Sequence, residues 1–315
     1  MKNEPSVSDD RILPRSSLRK GVRRVAVMLV IIILGLFLAV AIFLFFYQRR
    51  MIYFPRRYEP SYKLGLPPEA IEIEYRASSG RQVCFYIPPK TNPSAPPQSL
   101  WIFFGGNASL ALDWLVYQDT IFPPSLGILL VDYPGYGLCE GKPEYKTIGE
   151  SSDAAFQTLA QYLKVEPKIL EQDLNILGHS LGTAASLQFA EKHPVKKAIL
   201  LAPFSSLLDM ARQTVGWPLC HLLLDRYDNV RALGRIVSTN PYSVIHIFHG
   251  KADDMVPFSM GKNLADLYPD NVAFHPHEGV DHNFIIEAAA DKIGEIMMRV
   301  DISKSNDQKT RINVQ

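Results

Sequence analysis

The chain has 315 residues, 47% hydrophobic and 21% charged, enough apolar side chain to bury a core of ordinary size and too much for a disordered polymer. Lysine and arginine number 33 against 32 aspartate and glutamate, and the net charge of +1 lacks the positive excess of a nucleic-acid binder. Cys84, Cys139 and Cys220 lie far apart without Cys-x-x-Cys spacing, which argues against a zinc ribbon, a dithiol redox motif and a disulfide scaffold and leaves three small apolar residues.

Residues 1–24 carry Arg11, Arg15, Arg19, Lys20, Arg23 and Arg24 with little apolar content, the composition of an unordered basic tail. Val25 to Tyr47 follows without a charged residue, 23 positions that would run ~34 Å as a helix and span a bilayer. A cleaved signal peptide is disfavoured, because its apolar core would be roughly 7–15 residues and because the small pair Ala39 and Ala41 is followed by more apolar chain. A buried core helix is disfavoured by Arg23, Arg24, Arg49 and Arg50 at the two ends, where charges suit lipid headgroups. The expectation for 25–47 is a single-pass membrane anchor. More basic residues precede the span than follow it at Arg49, Arg50, Arg56 and Arg57, so the positive-inside rule leans towards a cytosolic amino end and an extracytoplasmic body.

The body, 53–300, alternates short β-branched and aromatic runs with longer stretches at helical spacing. That alternation predicts a mostly parallel sheet with helices on both faces. The expected strands are Ile71 to Tyr75, Gln82 to Ile87, Leu100 to Phe104, Gly127 to Asp132, Leu174 to Gly178, Lys197 to Leu201, Val244 to His249 and Val272 to His275, with the first two as an antiparallel edge. Phe156, Leu159, Ala160 and Leu163 at i, i+3, i+4 and i+7 predict a helix behind Ser151 and Ser152 as caps. The proline-rich stretch Pro88 to Gln98 reads as a surface loop, and 204–242 is too long for a simple connection and reads as an inserted cap. Residues 301–315 read as a flexible tail.

The sharpest local signal is Gly178-His179-Ser180-Leu181-Gly182, entered from the apolar run Leu174 to Leu177 and leading into Thr183 to Ala190 at helical composition. A serine hydroxyl is a useful nucleophile only when exposed beside a base and near backbone donors, and a turn from strand end to helix start supplies that position. Gly178 and Gly182 suit the close backbone approach of such a turn.

Ser180 then needs a base and an acid. His249-Gly250-Lys251-Ala252-Asp253-Asp254 places Asp253 on a loop beyond a strand end, and it is preferred as the acid over Asp254, whose side chain would point elsewhere. Gly279-Val280-Asp281-His282 places His282, the expected base, on the loop before the last helix. His193 and His221 read as helix-end residues, and His179, His246 and His249 as packing or hydrogen-bonding ones. Gly105-Gly106-Asn107 follows a strand as an oxyanion turn requires, so the backbone N–H groups of Asn107 and Leu181 are the expected donors. A metal site at His275 and His277 with Asp281 is the rival, disfavoured because no third ligand stands at a recognisable spacing. The run Asp132 to Gly141 imitates a dinucleotide fingerprint, but Glu140 holds its third glycine position.

With these motifs in place, the chain resembles the α/β-hydrolase superfamily, most closely its membrane-anchored alpha/beta-hydrolase domain-containing proteins of the serine aminopeptidase-like, Bem-type group. The residues that carry the resemblance are Gly105-Gly106-Asn107-Ala108, Asp132-Tyr133-Pro134-Gly135-Tyr136-Gly137 with Glu140-Gly141-Lys142-Pro143, Gly178-His179-Ser180-Leu181-Gly182, His249-Gly250 with Asp253, and His282. They fall within about Tyr53 to Met298 and follow the chain order Ser, acid, His of that fold. The resemblance implies an α/β-hydrolase fold, a Ser180–His282–Asp253 triad, hydrolysis of esters, thioesters or lysophospholipids, and no cofactor. The chain departs from the family's pattern at Gly105 in place of His, Ser109 in place of Gly, Pro134 in place of Arg and Cys139 in place of Ser, all on loops that help line the site.

The function expected is a membrane-anchored serine hydrolase acting on an ester or thioester, with the apolar residues Leu207, Leu208, Trp217, Leu219, Leu222, Leu223 and Leu224 of the cap favouring a lipid-like acyl group. A peptidase of the same fold is the alternative, weakened by the lack of an acidic cluster to hold a substrate amino group. The third reading is a catalytically silent, membrane-tethered interaction module, disfavoured because no triad member is missing.

Overall fold

The computed structural model describes residues 15–299. These divide into two compact units, one ending at Tyr47 and the other beginning at Gln48. Helix α1 (Arg15–Ile52) supplies the described part of the first. Within it Lys20–Ile52 is long and apolar enough to cross a membrane, and its apolar side chains face outward, Leu34 being 61% exposed, the reverse of a soluble core helix. The expected unordered tail is therefore wrong over 15–24, where the chain is already helical. The long polar side chains there are good helix formers, and an adjoining apolar helix spares them the cost of nucleation. Residues 1–14 of that tail, and the tail expected at 301–315, lie outside the described residues.

In the second unit eight strands form one sheet: β1 (Ile71–Ala77), β2 (Gly80–Ile87), β3 (Leu100–Phe104), β4 (Gly127–Val131), β5 (Leu174–His179), β6 (Lys197–Leu201), β7 (Val244–Gly250) and β8 (Val272–His277). Their spatial order is β1-β2-β4-β3-β5-β6-β7-β8, with β2 antiparallel to both neighbours and every other pair parallel. The helices are α2 (Gln118–Ile121), α3 (Tyr145–Tyr162), α4 (Pro167–Leu170), α5 (Leu181–Ala190), α6 (Leu207–Val215), α7 (Asn229–Thr239), α8 (Phe258–Leu267) and α9 (Ile285–Met298).

Strand side chains alternate between two cores, as a period of two requires. Leu100, Ile102 and Phe104 of β3 enter one core with Phe156 of α3, Leu187 of α5 and Leu233 of α7. Trp101 and Phe103 enter the other with Trp114, Ile121 of α2 and Ile293 of α9. Because both faces are covered, the central strands read as continuous apolar runs.

Some boundaries move. β1 and β2 run on to pair Arg76 with Arg81 and Ala77 with Gly80, since ladder hydrogen bonds do not need apolar side chains. Ser151 and Ser152 are not caps: α3 starts at Tyr145 after Glu144, both serines are buried in its middle, and Ser152 Oγ donates to the Ile148 carbonyl one turn back. The stretch 204–242 holds two different things. A bridge between Ser206 and Asp228 closes the base of an excursion that contains α6, whereas α7 follows that bridge and buries Leu233 and Ile236 in the main core.

Candidate active site

The elbow at Ser180 follows from backbone proximity. A Cβ on Gly178 would lie 2.4 Å from the Gly182 carbonyl oxygen, and one on Gly182 would lie 2.2 Å from that of Phe104, so β5, α5 and the end of β3 meet only with glycine at both positions. Ser180 between them sits at φ 53°, ψ −119°, a conformation that costs a non-glycine residue about 1–3 kcal/mol unless its surroundings fix it. Here the Ser180 N–H donates to the Leu201 carbonyl at 2.9 Å, while its carbonyl accepts from Thr183 Oγ1 at 2.7 Å and Thr183 N at 3.0 Å.

Asp253 stands on the loop after β7 with a fully buried side chain. Its Oδ1 accepts from the N–H groups of Met255 (3.0 Å) and Val256 (2.7 Å), and its Oδ2 accepts from His282 Nδ1 at 2.8 Å. Nε2 of His249 lies 3.3 Å from the same Oδ2 and donates to the Val256 carbonyl at 3.0 Å. Burial opposes ionisation of Asp253, but the hydrogen bonds from His249, His282 and Val256 outweigh it and hold the carboxyl below the usual carboxylate range. Asp254, the competitor, is exposed.

His282 is 3% exposed and spends Nδ1 on Asp253, which leaves Nε2 as the acceptor nitrogen. Its carbonyl accepts from Nε2 of His179 at 3.1 Å, and the two rings lie 5.0 Å apart. His179 is kept neutral, its pKa pushed down to about 4 by burial and by the neighbouring His282. The residue immediately before Ser180 thus holds the histidine loop. Ser180 Oγ and His282 Nε2 form no direct hydrogen bond among the described residues, a distance that commonly closes only when substrate binds.

The Leu181 N–H lies in the first turn of α5, where helix donors have no intrahelical partner. The Asn107 N–H also has no acceptor among the described residues. The loop around it is held on every side. Tyr133 donates to the Gly105 carbonyl at 2.6 Å, Ser109 N to the Gly106 carbonyl at 3.2 Å and Tyr136 to the Asn107 carbonyl at 2.5 Å.

Other expectations sort by contact. His275 faces His246, 3.0 Å between ring nitrogens, and stacks on Phe248 with centroids 4.3 Å apart. Among the described residues no group of three or more His, Cys, Asp or Glu side chains is placed to hold a metal ion. Of the cap residues, Leu223 is buried and Leu207 packs on the core, while Trp217 (77%) and Leu224 (48%) are exposed.

Reading the sequence missed two contributors and left the partner of a third unnamed. His249, read as a packing or hydrogen-bonding residue, turns its ring to Asp253, while the tyrosines of Asp132-Tyr133-Pro134-Gly135-Tyr136 serve the Asn107 loop and Phe54 N–H donates to the Asn107 carbonyl at 3.0 Å. The tyrosine pair and His249 lie within motifs, whereas Phe54 joins a residue distant in the chain and carried no signal.

The sequence pattern of the Alpha/beta hydrolase family matches residues 101–273, more than half of the chain. An uncharacterized protein of Mycobacterium tuberculosis is 26% identical over 246 residues, 78% of this chain and 83% of that protein. Human alpha/beta hydrolase domain-containing protein 17C is 30% identical over 158 residues, 50% of this chain and 44% of its own length. Among solved structures, an alpha-beta hydrolase from Vibrio vulnificus matches with TM-score 0.57 at 15% identity, covering 72% of this chain and 81% of that one. Est1E from Butyrivibrio proteoclasticus bound to ferulic acid matches with TM-score 0.54 at 19% identity, covering 72% and 98%. A Pyrococcus furiosus esterase matches with TM-score 0.56 at 13% identity, covering 77% and 97%. At such identities the structural matches speak for the fold alone. Sequence pattern and architecture together place this chain in the alpha/beta hydrolase family.

Proposed function

We propose that this hydrolase cleaves esters or thioesters through an acyl-enzyme on Ser180, with His282 as base and Asp253 as its orienting acid. The observation that carries the reading is the His282–Asp253 pair at 2.8 Å, packed through His179 against the strained serine elbow. Ser180 Oγ attacks the acyl carbonyl carbon as His282 Nε2 takes its proton. The N–H groups of Asn107 and Leu181 receive the oxyanion. His282 then gives the proton to the departing alkoxide or thiolate, leaving Ser180 acylated. Water, deprotonated by the same nitrogen, attacks the acyl group, and its proton returns to Ser180 as the acid is released.

The apolar helix Lys20–Ile52 supports anchoring in a membrane, and the exposed apolar cap residues Trp217 and Leu224 support an acyl group of lipid character. The test is labelling of detergent-solubilised protein by a fluorophosphonate, which reacts with an activated serine whatever the natural substrate. Labelling of the wild type and its loss in Ser180→Ala and His282→Ala is the expected result. A folded wild type that does not react overturns the reading in favour of a silent interaction module. Turnover of p-nitrophenyl esters from acetate to palmitate then tests the acyl class, and activity confined to the shortest esters removes the lipid assignment.

A further inference from the structure

The loop that carries Asn107 is fastened by a part of the chain outside the sheet and its connections. Gln48 to Arg57, the strap, follows the apolar run directly in sequence and belongs to the same compact unit as the hydrolase body. On one side it grips the oxyanion loop. The Phe54 N–H is shared between the Asn107 carbonyl and Tyr136 Oη, each at 3.0 Å, while Tyr136 Oη donates to that carbonyl at 2.5 Å. Asn107 Nδ2 donates to the Ile52 carbonyl at 3.3 Å, and Arg56 Nη1 donates to the Ala108 carbonyl at 3.2 Å and reaches Asp113 at 3.1 Å.

On the other side the strap grips the cap. The Gln48 side chain donates to the Leu222 carbonyl at 3.1 Å and accepts from Leu224 N at 2.7 Å, the two-point clamp that only a carboxamide offers. Arg49 spans from Asp225 at 3.2 Å to Glu144 at 2.6 Å, and Tyr53 Oη donates to Asp225 at 3.2 Å.

Peptide planarity turns these contacts into a statement about catalysis. In a trans peptide the N–H points opposite to the carbonyl of the preceding residue, so fixing the carbonyls of Gly105, Gly106 and Asn107 fixes three successive peptide planes, the middle one carrying the Asn107 N–H. The first plane is held by Tyr133, the second by Ser109 N and the third by Tyr136 with Phe54. Oxyanion donors act by being aimed before the reaction begins, and misplacement by about 1 Å costs about a hundredfold in rate.

We infer that the strap Gln48–Arg57 is a working part of the active site: with Tyr136 it positions the Asn107 oxyanion donor, and through Gln48, Arg49 and Tyr53 it holds the cap. The inference rests on the acyl-transfer reading of Ser180. Tyr136 and Phe54 are positioning residues, since they act through Asn107. A general scaffold role would lower the fraction of active molecules; a positioning role lowers the turnover of each active one.

The experiment uses the full chain in detergent, with active sites titrated by a fluorophosphonate and turnover of p-nitrophenyl butyrate expressed per titrated site. Tyr136→Phe removes the phenol and Phe54→Pro removes the N–H. Each is expected to lower kcat at least about tenfold with KM changed less than about twofold, and to slow fluorophosphonate labelling in parallel, because the phosphonyl oxygen uses the same donors. Gln48→Met removes both halves of the cap clamp and is expected to raise KM more than it lowers kcat. Wild-type turnover per titrated site in Tyr136→Phe and Phe54→Pro overturns the inference while leaving the Ser180 reading intact. A wild type that never labels overturns both.

Discussion

Two buried carboxyls, Asp132 and Asp253, are shifted in opposite directions for local reasons. Asp132 accepts one hydrogen bond from Ala111 N at 2.8 Å and one from Tyr58 Oη at 2.7 Å, too few to offset complete burial, and its pKa is pushed up to about 7. Between its ordinary value of 3.8 and about 7 the folded chain keeps a proton that the unfolded chain has released, so stability falls as pH rises through that interval. Asp132→Asn is expected to flatten the fall, which urea unfolding in detergent at pH 5 and pH 8 measures; an unchanged slope would assign the fall to another group. Asp253 instead gathers two backbone N–H groups and two imidazoles and stays ionised. Asp253→Asn would leave the geometry but no longer select the Nδ1–H tautomer of His282, and kcat is expected to drop about 10³–10⁴-fold, as read from steady-state ester hydrolysis.

Between elements, the site depends on how α5 is held behind Ser180. His193, just past the end of α5, lies with Nδ1 2.9 Å from Glu171 and Nε2 2.8 Å from Asp153 of α3. Donating to two carboxylates at once requires the imidazolium. Burial lowers the His193 pKa, but the hydrogen bonds to Asp153 and Glu171 outweigh it and the net shift is upward, while the hydrogen bond from His193 lowers that of Asp153. The histidine's contribution is therefore complete below its ordinary value of 6.5 and is lost as pH rises through the raised one; that of Asp153 is present above 3.8 and is lost as pH falls through its lowered one. His193→Gln is expected to destabilise by roughly 1–2 kcal/mol at pH 6 and by less at pH 9, a difference that denaturant unfolding of the two chains at each pH reads directly. This clamp left no sequence signal, because His193, Asp153 and Glu171 are separated by whole elements. By contrast β3 and β6 fall where the sequence predicts them, since a five-residue run buried on both faces has no polar partner to blur its ends.

For the whole molecule, the apolar helix makes the strongest demand. Its exposed leucines, isoleucines and phenylalanines between Val25 and Phe46 would leave a large bare surface in water, so the full chain is expected to stay with membranes after alkaline carbonate extraction. Leu34→Lys with Leu38→Lys would add about 5 kcal/mol or more to insertion and is expected to send the chain to the soluble or aggregated fraction. Retention of the double variant in the carbonate pellet would show that another surface holds it there.

The sequence by itself determined the parallel sheet, the apolar helix, the serine turn and the two later loops that carry Asp253 and His282, because each is written in adjacent residues: burial in runs, turns in glycines, exposed chemistry at strand ends. The tertiary structure decided what lies between those segments. Whether Ser151 caps a helix or sits inside one, whether α7 belongs to a cap or to the core, and which groups fix Asn107 all depend on contacts between residues tens of positions apart. Such pairings have no period and no composition, and only the folded sheet brings Phe54 to Asn107, or His179 to His282.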